Sequence, residues 1–191
     1  RDHTERMLAA HIHPVTPDRD AITYDETGAR VDPLAIERFR SLTRVIPGDI
    51  SSAAFLIAAT LLVPGSESRL VGVGINATRT GLLGVLNEMG ARVELSHVRD
   101  QGGEPVGDIA VQASKLTSAQ VGGNTVVKMI DEFPVLAVLA TQATGRTIVR
   151  DAAELRVKET DRITAVAEEL RKLGAVIETQ PQATGRKLLA A

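Results

Sequence analysis

The chain has 191 residues, of which 43% are hydrophobic and 24% charged, a composition that is ordinary for a globular protein. Its formal net charge of −2 argues against a broad affinity for nucleic acid, and the absence of cysteine excludes disulfides, thiolate metal sites and a cysteine nucleophile. No segment reaches the roughly 18–20 apolar residues that a membrane-spanning helix needs. Because only 2% of the residues are aromatic, we expect an aliphatic core.

The first 44 residues are polar and interrupted by proline and glycine. A short helical pattern covers Glu5–Ala10, a turn is predicted at Thr27-Gly28, and a second helix is predicted over 33–42. The composition then changes to long apolar stretches. We therefore place a domain boundary at 44–47.

The chain from residue 45 to about residue 180 contains two copies of one pattern. The first copy predicts helix 51–62, strand 68–73, helix 78–89 and strands 91–98 and 108–113; the second predicts helix 131–143, strand 146–150, helix 160–173 and strand 175–179. Both copies have a Gly-Ala pair after the amphipathic helix, at Gly90 and Gly174. Such a repeat predicts stacked α/β modules in which amphipathic helices cover mixed sheets. Thr78 and the pair Ser51-Ser52 are the predicted N-caps of two helices.

The most densely charged stretch is ELRVKETDR at 154–162, where six of nine residues are charged. One interpretation is a solvated helix start, in which Lys158 and Arg162 pair with carboxylates of the same stretch. The other is a site that holds an anion and moves protons, because Lys158 and Arg162 are spaced to bind a carboxylate or phosphate beside Glu159. The pattern alone leaves both interpretations open.

A second acidic motif, Asp131-Glu132, precedes an almost wholly apolar helix. Carboxylates stabilise a helix N-terminus, and this electrostatic interpretation is preferred for Asp131 taken alone. The alternative is a half-buried carboxylate whose pKa is set by burial and by nearby cations. Since Asp131 and Glu159 head the two helices of one repeat copy, both could face one end of a sheet, where sites in α/β proteins gather.

Two further motifs indicate no site. The glycine-rich segment 71–76 is followed by Ala77, where a dinucleotide-binding motif has its last glycine, so it is interpreted as a strand ending in a turn. His11 and His13 could share one side of a strand. With no further ligands nearby, they do not predict a metal site.

Five segments in a fixed order carry a family resemblance. They are RDHTERML at 1–8, PGDISSAAF at 47–55, NATRTGLLGVLNEMGA at 76–91, IDEFPVLA at 130–137 and DAAELRVKETDRI at 151–163. Together they resemble the bacterial type of 5-enolpyruvylshikimate-3-phosphate (EPSP) synthase, or 3-phosphoshikimate 1-carboxyvinyltransferase, over about residues 1–180. The related UDP-N-acetylglucosamine 1-carboxyvinyltransferases remain the alternative among enzymes. A non-catalytic module that binds a phosphorylated ligand or a partner chain is the alternative from another class.

The resemblance implies an α/β (α+β) fold of two lobes, each an inside-out α/β barrel built from three βαβαββ units, with the active site between the lobes. Residues 1–44 would be the end of the first lobe, with an interlobe crossing near 44–47. Residues 45–180 would be two units of the second lobe, so that the barrel is incomplete. Residues 181–191 form a tail in which no family motif is found.

The resemblance also implies a reaction of the shikimate pathway, which leads through chorismate to the aromatic amino acids. The 5-hydroxyl of shikimate-3-phosphate adds to phosphoenolpyruvate, and phosphate is then eliminated. By motif position, Asp131 matches the proton-accepting carboxylate that also contacts shikimate-3-phosphate, and Glu159 matches a proton-transferring carboxylate at phosphoenolpyruvate. Arg162 matches a cation that binds phosphoenolpyruvate. Lys158 and Arg1 match contacts to shikimate-3-phosphate, Arg1 from the other lobe.

No metal or organic cofactor is implied, and we expect a cytoplasmic, monomeric parent enzyme that has small-molecule substrates and no nucleic-acid or membrane partner. Both ends of the chain look cut, and several cationic motifs of the family are missing. We therefore interpret the chain as a central fragment that is inactive alone. Its apolar helix faces leave self-association open.

Overall fold

The computed structural model describes residues 2–11, 22–25, 28–32, 45–158, 160–180 and 187–190. Its helices are α1 (His3–His11), α2 (Ile50–Leu62), α3 (Gly81–Glu88), α4 (Asn124–Val127), α5 (Phe133–Gln142) and α6 (Arg162–Lys172), with a 3₁₀ helix at Ala153–Arg156. Its strands are β1 (Ile22–Asp25), β2 (Gly28–Val31), β3 (Glu67–Gly74), β4 (Arg92–Gln101), β5 (Glu104–Gln112), β6 (Gln120–Val121), β7 (Thr147–Arg150), β8 (Ile177–Thr179) and β9 (Lys187–Ala190). The helices and strands predicted for both repeat copies are confirmed, while the helix predicted over 33–42 lies outside the described residues.

The two repeat copies have the same sheet topology. The first sheet has the order β3-β5-β4, and the second has the order β6-β7-β9-β8. In the first copy β5 lies between β3 and β4, and in the second β9 lies between β7 and β8. Each of these last strands pairs antiparallel with both neighbours. A short parallel partner lies beside the first strand, Gly48 beside Val73 in one copy and β6 beside β7 in the other. Each copy is therefore a βαβαββ unit, and the predicted α/β repeat is confirmed; the described residues do not form a closed barrel.

The core is aliphatic, as the composition predicted. The central apolar helices of the two units, α2 and α5, contact each other, and Ile57 and Leu139 are completely buried. The other side of α2 is different, since Phe55 is 66% exposed and Leu56 is 60% exposed. The described part of the chain thus leaves one apolar helix face uncovered. None of the described helices combines the length and the apolar character needed to cross a bilayer.

Three local predictions were wrong or incomplete. Helix α3 begins after Thr80, because the amide and hydroxyl of Thr78 instead donate to the side-chain oxygen of Asn76 (2.9 and 2.8 Å). His11 ends helix α1 and is not in a strand, and His13 lies outside the described residues. Strand β9 was not predicted at all, although it occupies the middle of the second unit's antiparallel sheet.

The Gly-Ala pairs end the amphipathic helices in the same way. Gly90 has φ +78° and Gly174 has φ +92°, a backbone region that favours glycine. The next amide donates to the carbonyl five residues earlier, at 2.9 Å for Ala91 and 3.0 Å for Ala175. This combination is the Schellman motif, and it stops α3 and α6 at equivalent points.

We expect Gly90→Ala to lower the free energy of unfolding by about 1 kcal/mol, because an alanine there must adopt a left-handed conformation. A Cβ at Gly90 would meet no heavy atom within 4 Å, so backbone strain is the only cost. Gly84→Ala in the exposed interior of α3 is the matched control, since its Cβ is equally unobstructed. It should raise stability by about 0.5–1 kcal/mol. Urea unfolding measures the stability of both variants. Effects of equal sign would contradict the assignment of Gly90 to a Schellman motif.

Candidate active site

The charged stretch 154–162 and the acidic motif Asp131-Glu132 come into contact in the fold. Nη1 of Arg162, the first residue of α6, lies 3.2 Å from Oδ1 of Asp131 and 3.5 Å from the carbonyl oxygen of Ile130. Asp131 directly precedes the N-cap of α5, so the helices of one unit bring a carboxylate and a guanidinium together. The expectation that Asp131 and Glu159 face one end of a sheet stays a prediction, because Glu159 lies outside the described residues.

An open cavity of about 360 Å³ lies beside this ion pair. Its lining includes Asp131 and Glu154 as carboxylates and Lys128 and Lys158 as cations, with Thr78 on the same wall. The volume is that of a site for a small molecule. Cations and carboxylates on the same walls suit an anionic ligand that also exchanges a proton.

Lys158 has a local partner. Its Nζ lies 2.9 Å from Oε1 of Glu154, which is the ion pairing that the solvated interpretation predicted. The predicted helical spacing of Lys158 and Arg162 is not formed, because α6 begins only at Arg162 and Lys158 lies in the preceding bend. The charged stretch is therefore neither wholly a solvated helix start nor wholly an anion site.

Asp161 determines where α6 begins. Its Oδ1 accepts hydrogen bonds from the amides of Ile163 (3.1 Å) and Thr164 (3.0 Å), and its Oδ2 accepts one from Nη1 of Arg156 (2.8 Å). Burial alone raises the pKa of Asp161, but the bonds from Thr164 and Arg156 outweigh burial and hold that pKa below its usual range. Asp161 is thus the N-cap that places Arg162 at the head of the helix.

Arg79 is a further cation beside Asp131, and the sequence analysis did not single it out. It lies between β3 and α3, and its Nη2 is 2.6 Å from Oγ of Ser51 and 3.4 Å from Oδ1 of Asp49. The same nitrogen lies 4.0 Å from Oδ2 of Asp131 and 3.9 Å from Oε1 of Glu132. Its partners are distant along the chain, so no local spacing indicated this cluster. The only signal was the place of Arg79 within the family segment 76–91.

The predicted capping role of Ser51-Ser52 is corrected. The N-cap of α2 is Asp49, whose Oδ2 accepts the amide (2.8 Å) and hydroxyl (3.0 Å) of Ser52. Ser51 instead donates its hydroxyl to Oε1 of Glu132 in the other unit. Burial raises the pKa of Asp49, but the bonds from Ser52 and the charge of Arg79 outweigh burial and hold that pKa low.

Two predicted site residues, Arg1 and Glu159, lie outside the described residues. Among the described residues, no group of three or more histidine, aspartate or glutamate side chains is placed to hold a metal ion. The described site thus places the carboxylate of Asp131 between Arg162 and Arg79, with Lys158 and Lys128 on the cavity wall.

The family model for EPSP synthase (3-phosphoshikimate 1-carboxyvinyltransferase) matches residues 1–188. The chain belongs to the EPSP synthase family. The resemblance seen in the five segments is therefore confirmed. The match runs to residue 188 and so includes part of β9, beyond the last family motif found by inspection.

Individual relatives agree with this assignment. The 3-phosphoshikimate 1-carboxyvinyltransferase of Bacillus subtilis is 46% identical over 188 residues, which are 98% of this chain and 41% of the relative. The enzyme of the same name from Geotalea uraniireducens is 50% identical over 184 residues, covering 94% of this chain and 40% of the relative. The EPSP synthase structure from Acinetobacter baumannii superposes with a TM-score of 0.83 at 36% identity, covering 98% of this chain and 40% of that one. The chain therefore spans about 40% of the length of these relatives.

We expect Asp161→Ala to destabilise the protein by about 1 kcal/mol, the usual cost of losing an N-cap. Since the folded-state pKa of Asp161 is depressed, its charge contributes stability above the unfolded pKa of about 4, and this contribution is lost as pH falls through the folded value. The gap between wild type and variant should shrink below about pH 4. Urea unfolding at several pH values measures it, with Glu168→Ala on the exposed side of α6 as control. A difference in free energy of unfolding that does not depend on pH would contradict the contribution of the Asp161 charge.

Proposed function

We propose that this chain is the central part of an enzyme that transfers the enolpyruvyl group of phosphoenolpyruvate to the 5-hydroxyl of shikimate-3-phosphate. The observation that carries the proposal is the family match over residues 1–188 together with the position of Asp131. This carboxylate lies between two guanidinium groups at the edge of a cavity of small-molecule size.

Asp131 accepts the proton of the 5-hydroxyl in this proposal. A carboxylate acts as a base only when it is ionised, and nearby cations favour the ionised form. Arg162 lies 3.2 Å from one oxygen of Asp131 and Arg79 lies 4.0 Å from the other, so a positive charge faces each oxygen. The arrangement supports proton abstraction near neutral pH.

The other predicted residues bind the two substrates or transfer a proton at phosphoenolpyruvate. Lys158 leaves Glu154 to contact shikimate-3-phosphate, while Arg162 binds the carboxylate or phosphate of phosphoenolpyruvate, for which its planar fork is suited. Glu159 moves a proton at phosphoenolpyruvate, and Arg1 contacts shikimate-3-phosphate from the first lobe. No step needs an organic cofactor or a metal ion.

The proposed domain division follows the family. Residues 1–44 are the end of one lobe, 44–47 an interlobe crossing, and 45–190 two units of the other lobe. The second unit extends into the predicted tail 181–191, because β9 is its last strand. Phe55 and Leu56 make one face of α2 apolar and exposed. This exposed face is an argument that a further repeat unit covers it in the whole enzyme. The parent enzyme is proposed to be a cytoplasmic monomer, while the chain alone can self-associate through this face.

In the full-length protein that contains this sequence, Asp131→Asn should reduce turnover by about 10²–10⁴-fold, because the amide cannot take the proton. Phosphate release with both substrates measures the effect. Glu178→Gln is the control, because its exposed carboxylate pairs with Arg146 and is not among the residues that line the cavity. Equal activity of wild type and Asp131→Asn would overturn the assignment of the base. Turnover with UDP-N-acetylglucosamine in place of shikimate-3-phosphate would favour the alternative enzyme.

The 191-residue chain alone should release no phosphate, because it spans about 40% of its relatives and the proposed site lies between two lobes. Calorimetry with shikimate-3-phosphate, with and without phosphoenolpyruvate, tests whether the chain still binds. Turnover by the isolated chain close to that of the full-length protein would contradict the proposed division of the site.

A further inference from the structure

Glu132 is a buried carboxylate that helix capping does not explain. It is the N-cap residue of α5, yet its side chain makes no capping hydrogen bond, and only 2% of the residue is exposed. An ionised carboxylate in this position needs compensation, because leaving it unpaired in the interior costs several kcal/mol. Its compensation comes from the other repeat unit, through Ser51 and Arg79.

When Glu132 is ionised, the contacts among these three side chains allow a single arrangement of protons. A guanidinium can only donate, so Nη2 of Arg79 donates to Oγ of Ser51 at 2.6 Å. The hydroxyl of Ser51 must then donate to Oε1 of Glu132, which can only accept while ionised. Asp49 lies 3.4 Å from the same nitrogen of Arg79 and adds a second carboxylate. Arg79 is therefore held from several sides, and it is only 20% exposed.

The guanidinium of Arg79 faces Oδ2 of Asp131, whereas Arg162 lies closer to Oδ1. Nη2 of Arg79 is 4.0 Å from Oδ2, while Nη1 of Arg162 is 3.2 Å from Oδ1. The two cations come from different repeat units and have different surroundings. Under the proposed function, Arg162 must also serve the anionic substrate, whereas Arg79 is tied to Asp49, Ser51 and Glu132.

We propose that Arg79 is a positioning residue for Asp131: it keeps a fixed positive charge beside Oδ2, held by Asp49, Ser51 and Glu132, when Arg162 engages the bound anion. This inference rests on the proposed function for the role of Asp131 as base. The fixed position of Arg79 itself rests only on the contacts described.

Several charged groups face Asp131, and the expected effect depends on their balance. Among the described residues they are Arg79 before α3, Arg162 on α6, the adjacent Glu132, Lys128 after α4, and Glu154 and Lys158 across the cavity. Lys158 is paired with Glu154, so these two largely offset each other. Removing Arg79 takes away a positive charge beside Asp131, and it leaves the negative charge of Glu132 without that cation. Both effects disfavour the ionised form of Asp131.

The test compares Arg79→Gln with wild type in the full-length protein. The carboxyl group of Asp131 is titrated by NMR after ¹³C labelling of aspartate, and Asp131→Asn assigns its signal. We expect the pKa of Asp131 to rise by about one unit or more in Arg79→Gln, the size of effect that a close opposite charge produces. Arg79→Lys should restore part of the difference, because lysine keeps the charge but not the planar donor geometry.

The matched control is Arg69→Gln. Arg69 also pairs with a buried carboxylate, Asp108, at 2.9 Å, but none of its described contacts is to the cavity or to Asp131. Its loss should leave the titration of Asp131 unchanged. Thermal unfolding shows whether each variant is folded. If Arg79→Gln does not fold, Ser51→Ala replaces it. This change removes the hydroxyl that bridges Arg79 and Glu132, loosens the hold on Arg79, and should shift the pKa of Asp131 in the same direction by a smaller amount.

Kinetics give a second measurement. The acid limb of the pH profile of kcat/KM should move upward in Arg79→Gln by the same amount as the NMR titration, because this limb reports the pKa of the base in the free enzyme. A loss of folded protein would lower activity equally at every pH and would not move the limb. An unchanged titration of Asp131 in Arg79→Gln, or in Ser51→Ala where that variant is used, overturns the inference. Absence of phosphate release by the wild type refutes the proposed function instead, while the NMR titration still decides the role of Arg79.

Discussion

The packing of α2 against α5 is the constraint on which the rest of this structure depends. These are the equivalent apolar helices of two repeat units, and they bury their aliphatic side chains against each other. Equivalent helices that pack in this way bring equivalent ends together. Asp49 and Ser51 at the start of α2 therefore lie close to Asp131 and Glu132 at the start of α5. The carboxylates suit the positive ends of both helices, but together they require cations, which Arg79 and Arg162 provide.

The repeat explains how much of the fold was predictable. Helices and strands of at least three residues with a clear period were found in both copies, and the Gly-Ala pairs marked their equivalent ends. Strands such as β6, with two residues, and the four-residue helix α4 are too short to show a period. Strand β9 was missed because no motif of the family marked residues after 180.

The site was predictable where its residues are neighbours in one unit and not where they come from two. The approach of Arg162 to Asp131 follows from their places at the heads of helices in the same unit. Arg79 and Ser51 come from the other unit, and no spacing in the sequence connects them with Glu132. Lys158 and Arg162 were expected on one helix, but the hydrogen bonds of Asp161 delay the start of α6. A serine close to an aspartate at a helix start can either cap the helix or make a tertiary contact, and only the packing shows which role it has.

The position of the last strand in each unit has a consequence for how these units form. In both sheets the strand made last lies in the middle, so β5 separates β3 from β4 and β9 separates β7 from β8. β3 does not pair with β4, and β7 does not pair with β8, so the antiparallel pairs of each unit cannot form during synthesis until the final strand emerges. Each unit must therefore assemble its antiparallel sheet in one late event, and a ribosome that stalls before the middle strand leaves two open edges, which are templates for association with other chains.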